Sequence, residues 1–110
     1  MDSEEIVFTI ISHAGNAKSM CFQALRLARK GNFDDAEKFL NEAKNELYKT
    51  HDIQSKMIQE ETSGKGQKIS LLLVHAEDHL MSAMLVKDLI TEMIEMCKEN
   101  KKLMEMIIND

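Results

Sequence analysis

Three stretches of the chain place apolar residues at spacings of three and four, the period of an α-helix. In the first, Ile6, Ile10, Ala17, Met20, Cys21, Ala24, Leu27 and Ala28 share one face when successive side chains are set about 100° apart. His13 falls on the same face and reads as structural or surface. This helix is expected to begin near Ser3 or Glu4. Asp2 with Glu5 three residues on approximates a capping box, and acidic residues in a first turn suit the helix dipole. Arg26, Arg29 and Lys30 gather at its end, and Gly31 stops it. A second helix starts at once, with Asn32 as N-cap and Asp34 and Asp35 in its first turn. Its seam runs through Ala36, Leu40, Ala43, Leu47, Thr50 or His51, Gln54 and Ile58 and turns polar at His51 and Gln54. Glu37, Lys38, Glu42, Lys44, Asn45 and Lys49 mark its wet side.

Residues 62–68, TSGKGQK, read as a solvated connector. The GKG triplet does not make a phosphate loop, because the pattern GxxxxGK[ST] is absent and no strand precedes it. A third helix is expected from about Ile69 to at least Asn100 and as far as Ile108. Its second half carries a stripe of Val86, Leu89, Ile90, Met93, Cys97 and Met104. Extended backward, the stripe meets Leu71, Leu72, His75, His79 and Ser82, with Asp78 at its edge. Where the period asks for aliphatic residues, the chain supplies two imidazoles, a carboxylate and a hydroxyl. Leu73, Val74, Leu80, Met81, Met84 and Leu85 surround this cluster on the other sides. A helix apolar nearly all round is buried between several neighbours, and a thin three-helix hairpin has few to offer. Association with other copies in a two- or three-fold bundle is the simplest remedy.

Composition narrows the picture. There is no proline, and glycine occurs only at 15, 31, 64 and 66, so long uninterrupted helices are expected. The 110 residues suit a single domain, 1–110. No run approaches the roughly 18 to 20 apolar residues of a membrane span, and the acidic start MDSEEIV is unlike a secretory signal. A cytoplasmic location is therefore expected. The net charge of −5 and only five aromatic residues argue against nucleic acid as a partner. Cys21 and Cys97 lie far apart on apolar stripes and read as buried small hydrophobes. The nine methionines read as core filling.

The chemistry concentrates in VHAEDHLM. His75, Asp78 and His79 stand three and four residues apart and are neighbours on a helix surface. An imidazole beside a carboxylate can serve as a nucleophile with one unprotonated nitrogen. Two histidines at i and i+4 with an acid can instead bind a metal. The hydrolytic signature HExxH is not met, since position 76 is Ala. A helical metal-binding protein built on HxxDH remains open at this point, as does a non-enzymatic helical binding module. GNFDDAEKFLNEA has the look of a tetratricopeptide helix, but no second copy recurs.

VHAEDHLMSAML resembles the active-site helix of the lactose/cellobiose-specific IIA components of the bacterial phosphoenolpyruvate-dependent sugar phosphotransferase system. AGNAKS at 14–19, GNFDDAEKFLNEA at 31–43, HDIQSKMIQEE at 51–61 and HAEDHLM at 75–81 are similar to family segments, in order and at family spacing. The resemblance implies an all-α, antiparallel three-helix subunit that assembles as a homotrimer. It implies a phosphocarrier that accepts phosphoryl from the phosphohistidine of HPr. The group then passes to the cysteine of a cognate IIB component, for uptake of a β-glucoside- or lactose-type disaccharide through the IIC permease. His75 matches the phosphorylated histidine, and His79 an orienting one. Asp78 matches an aspartate that meets its symmetry mates at the trimer axis and holds a divalent cation, expected to be Mg²⁺. His51 and Gln54 match positions lining the pocket. Glu77 stands where the family often has Gln, Ser55 where Thr is frequent, and Asn16 where an acid is frequent. A carboxylate near a phosphorylated imidazole is unfavourable unless it points to solvent or is neutralised. Leu71, Leu72 and Leu73 are expected to surround the site and limit water attack.

Overall fold

The computed structural model describes residues 2–66 and 68–109. Three helices account for nearly all of them: α1 (Ser3–Arg29), α2 (Phe33–Thr62) and α3 (Leu71–Ile108). They form an antiparallel bundle 66 Å long and about 20 Å across. α1 packs along both α2 and α3, which touch each other much less, so an open groove runs between α2 and α3.

The helix ends follow the punctuation in the sequence. Asp2 caps α1 by accepting a hydrogen bond from the Glu5 backbone N–H at 2.9 Å. Gly31 takes a positive φ of 85°, the N–H of Asn32 reaches back to the Leu27 carbonyl at 2.9 Å, and the Gly31 N–H reaches Ala28 at 3.0 Å. This paired closure requires a left-handed residue and turns the chain straight into α2. Gly64 repeats the device at the end of α2, with Lys65 N–H bonding the Glu60 carbonyl at 2.8 Å. Ser70 caps α3 through the Leu73 N–H. Asn32 sits at the N-cap position of α2 without a side-chain capping bond. The connector 62–68 is close to expectation, with α2 running through Thr62; Gln67 lies outside the described residues.

The core rests on small residues. Ala14, Ala17, Cys21, Ala24 and Ala28 of α1, Ala36 and Ala43 of α2, and Ala76 and Ala83 of α3 are all buried. Their size lets the helices approach closely, while Ile10, Leu40, Leu80, Ile90 and Ile94 fill the space between them. In α2 the seam is as expected through Leu47 and then chooses Thr50, fully buried, whose hydroxyl donates to the Leu47 carbonyl at 2.7 Å. His51 is exposed and Ile58 is largely exposed, so the expected seam ends there.

α3 departs from expectation. Its buried row is Leu73, Ala76, Leu80, Ala83, Ile90 and Ile94. Of the expected stripe, Ile90 is buried and Val86 and Cys97 pack against the core, but Leu71, Leu72, Leu89, Met93 and Met104 are exposed. The close approach to α1 selects alanines for the inner face, and the larger aliphatic residues are turned outward. The methionines divide likewise: Met20, Met57 and Met84 pack on the core, whereas Met81, Met93, Met96, Met104 and Met106 are exposed.

The outward residues are ordered. Leu71, Asp78, Leu85, Leu89, Met96, Leu103 and Ile107 follow one another at spacings of 7, 7, 4, 7, 7 and 4. That is a repeat of 18 residues, or five turns at 3.6 residues per turn, so the stripe runs straight along the helix. Its six apolar members are between 49% and 86% exposed.

Candidate functional site

α3 carries His75 and His79 one turn apart, and their rings meet edge to face with centroids 4.5 Å apart. Their Nε2 atoms are 3.1 Å apart, so one ring donates a hydrogen bond and the other accepts it. His75 is exposed and His79 half-buried. Asp78 is exposed on the outward stripe and has no hydrogen-bond or ion-pair partner among the described residues. His75, Asp78 and His79 thus lie along one turn of the helix, and the His75 ring is accessible from solvent.

Glu77 is two residues from His75, and a helix turns about 200° over that interval. Within a subunit the carboxylate therefore points to the opposite flank of α3. It accepts a hydrogen bond from Gln54 Nε2 at 2.7 Å, a tie between α2 and α3. Its other oxygen, Oε1, is buried without a hydrogen-bond partner. Gln54 and Glu77 line a cleft of about 290 Å³ with Met57, Ile58, Leu73 and Val74. The unfavourable approach of Glu77 to the His75 ring does not occur within one subunit.

The residues expected across from His75 are placed elsewhere. Gln54 is committed to Glu77, and His51 lies edge-on to Tyr48 with ring centroids 6.5 Å apart. Neither bonds His75 or His79 among the described residues. Of the three leucines expected to shelter the site, Leu73 turns into the core, while Leu71 and Leu72 are exposed. His13 is structural: its Nδ1 pairs with Glu46 across α1 and α2. That bond, foremost among the causes, holds the Glu46 carboxyl below its ordinary value. The Gln54–Glu77 and His13–Glu46 ties were hidden in the sequence because each joins residues more than 20 positions apart. The polar break in the second seam was the one local signal for the first of them.

Among the described residues, no three His, Cys, Asp or Glu side chains of one chain converge as a metal site. Among the described residues, no helix is long and apolar enough to cross a membrane.

Comparison with known proteins identifies the family. A family model described as the PTS system lactose/cellobiose-specific IIA subunit matches residues 5–98. The chain is 44% identical over 95 residues to the lichenan-specific phosphotransferase enzyme IIA component of Bacillus subtilis, covering 86% of each. The crystal structure of the PTS cellobiose-specific enzyme IIA from Bacillus anthracis superposes with a TM-score of 0.87 at 38% identity, covering 93% of this chain and 94% of that one. The IIA chain in solution structures of the IIA(chitobiose)–HPr complex of Escherichia coli superposes with a TM-score of 0.79 at 37% identity, covering 92% of this chain and 98% of that one. The chain belongs to the lactose/cellobiose-specific IIA family of the sugar phosphotransferase system. It is a phosphotransferase component of that system.

Proposed function

We propose that His75 is the phosphoryl acceptor of this chain, charged by the phosphohistidine of HPr and discharged to the cysteine of a cognate IIB component. The observation that carries this is the exposed His75 ring, held on a long helix with the His79 Nε2 3.1 Å from its own. A relative of known structure is described in complex with HPr, which supports the donor. Relatives named for lichenan and cellobiose support a β-linked glucoside as the sugar served.

In the first step the N–P bond of the donor breaks as a bond forms from a lone pair of the His75 imidazole. In the second the new N–P bond breaks as an S–P bond forms on IIB. Neither step asks the protein for covalent chemistry beyond the nucleophile, so orientation and charge stabilisation dominate. His79 meets the first need. With its Nε2–H donating to His75 Nε2 in the resting state, it holds the acceptor ring and its Nε2 lone pair until the donor arrives. When phosphorus takes that lone pair, the same N–H is released to donate to a phosphoryl oxygen. His79 thus acts as a positioning residue. His51 and Gln54 contribute to a pocket around His75 only if they come from another subunit.

The working form is a homotrimer. The straight outward stripe of α3 supports this, since five leucine, isoleucine and methionine side chains between 49% and 71% exposed follow Asp78 along it with nothing of the same chain to cover them. Three α3 helices packed on this stripe bring three Asp78 carboxylates to the axis. These are hard oxygen ligands of the kind Mg²⁺ prefers, and Asp78 has no competing partner among the described residues of its own chain. A divalent cation there would neutralise carboxylates that otherwise repel one another. The assembly would carry 3 × (−5) = −15, which favours fast encounter with a basic partner in the cytoplasm.

The test is His75→Gln. Incubated with enzyme I, HPr and labelled phosphoenolpyruvate, the wild type acquires an acid-labile, base-stable label that maps to residue 75. The variant stays unlabelled while its helical circular dichroism is retained. Labelling of the variant would remove His75 from the mechanism.

A further inference from the structure

The inner row of α3 has one exception. Position 87 lies seven residues after Leu80 and seven before Ile94, on the buried side, and it is a lysine. The Lys87 side chain is 27% exposed. Its stem crosses the apolar face, and its amine emerges in the groove between α2 and α3. There a cleft of about 330 Å³ is lined by Lys44, Leu47, Tyr48, His51, Met84 and Lys87. None of the six is acidic, in a chain whose net charge is −5.

The cationic groups of this cleft are poorly matched inside the protein. Lys44 makes no ion pair or side-chain hydrogen bond among the described residues, and His51 has only its edge-on contact with Tyr48. Lys87 holds Asp88 at 3.0 Å, but that carboxylate is 70% exposed, so the pair is open to solvent and to exchange for a bound anion. Lys44 reaches the cleft from α2 and Lys87 from α3. Both act on the buried Cys21 thiol of α1, which burial pushes up and which Lys87 and Lys44 draw back.

We propose that this cleft is a binding site for a phosphate monoester with a small apolar body. The phosphate sits between the amines of Lys44 and Lys87 with His51 beside it, and the body lies on Leu47, Tyr48 and Met84. Lysine amines are compact, strongly charged donors suited to a phosphate dianion. Within one subunit the site is separate from His75. Met84 lies nine residues further along α3, about 14 Å by helix rise. Lys87 lies nine residues from Asp78, about 180° round the helix, so contact between α3 stripes leaves the cleft open. The proposal does not depend on phosphoryl transfer.

Titration of the full, unphosphorylated chain with phenyl phosphate, followed by amide NMR shifts, tests it. Inorganic phosphate, phenol and sodium chloride at matched ionic strength run in parallel. Saturable binding of one phenyl phosphate per chain is expected, with shifts centred on Leu47, Tyr48, Met84 and Lys87. Phenyl phosphate should bind more tightly than inorganic phosphate, and phenol should not bind. Lys44→Gln and Lys87→Gln should each weaken binding on the order of tenfold or more, as loss of one charged contact to a phosphate implies. His75→Gln should bind as the wild type does. Should Lys87→Gln fail to fold, Lys44→Gln on the exposed face of α2 decides alone. Shifts that rise without saturation, equal binding of phenol, or undiminished binding by Lys44→Gln would overturn the proposal.

Discussion

Gln54→Ala tests the tie that closes α2 onto α3. The two helices share few contacts, so the 2.7 Å hydrogen bond from Gln54 Nε2 to Glu77 Oε2 carries unusual weight there. A hydrogen bond to a charged group contributes about 1.5–3 kcal/mol, and removing the donor leaves the acceptor uncompensated. Glu77 Oε1 is already buried without a partner, so after the substitution neither oxygen has a protein donor. Gln54 is half-buried and water can enter from the adjoining cleft, which places the expected loss at about 1–2 kcal/mol. For a domain of this size that is a fall of roughly 4–12 °C in Tm. The assay is urea unfolding at fixed protein concentration, carried through a cycle of Gln54→Ala, Glu77→Ala and the double variant. In the Glu77→Ala background, Gln54→Ala should cost only a few tenths of a kcal/mol, because the group it served is gone. Glu77→Gln keeps an acceptor for Gln54 and removes the buried charge, so its stability should stay within about 0.5 kcal/mol of wild type. A Gln54→Ala penalty that is the same with and without Glu77 would refute the reasoning.

Four further outcomes are expected. Asp78→Leu should leave the oligomer intact or strengthen it and abolish any dependence on divalent cations, read by sedimentation with and without chelator; a wild type that sediments as a monomer in every condition would count against the trimer. Because His13 holds Glu46 below its ordinary value of 4.5, that pair stabilises the fold above about pH 4.5 and its contribution disappears as pH falls through the depressed value. Glu46→Gln should therefore lose about 1–2 kcal/mol at neutral pH in urea unfolding and show a shallower decline in acid than the wild type. Ala83→Leu, at a fully buried position where α3 packs into the bundle, should cost about 1–3 kcal/mol by overpacking, whereas Leu85→Ala on the outer face should spare the subunit fold and weaken self-association.

The three helices were legible because their ends are written locally: Asp2, Gly31, Gly64 and Ser70 each act within a few residues of themselves. The inner faces of α1 and α2 were legible for a similar reason, since each has one apolar side. α3 has two. Its outer leucines and methionines outweigh its inner alanines in any hydrophobic pattern, and only the closeness of α1 reveals that Ala76 and Ala83 belong inside. The histidine pair could be read directly, because a spacing of four on a helix fixes its geometry. The surroundings could not. Gln54 and His51 lie on the right helix, but the partners they take, Glu77 and Tyr48, depend on how α2 rolls against α3. Lys87 gives no local signal, because a single charge among apolar residues looks like a surface position until the row it occupies is known.

The 7-7-4 rhythm of α3 sets a rule for how this chain can change length. Adding or losing one residue between Asp78 and Leu103 would swing everything beyond it through about 100°, parting the lower half of the stripe from the upper. A slip before Ile90 would also carry Ile90 and Ile94 out of the bundle. Both faces of the rod thus enforce one reading frame, and growth or shrinkage of the polypeptide is confined to the two turns and the ends.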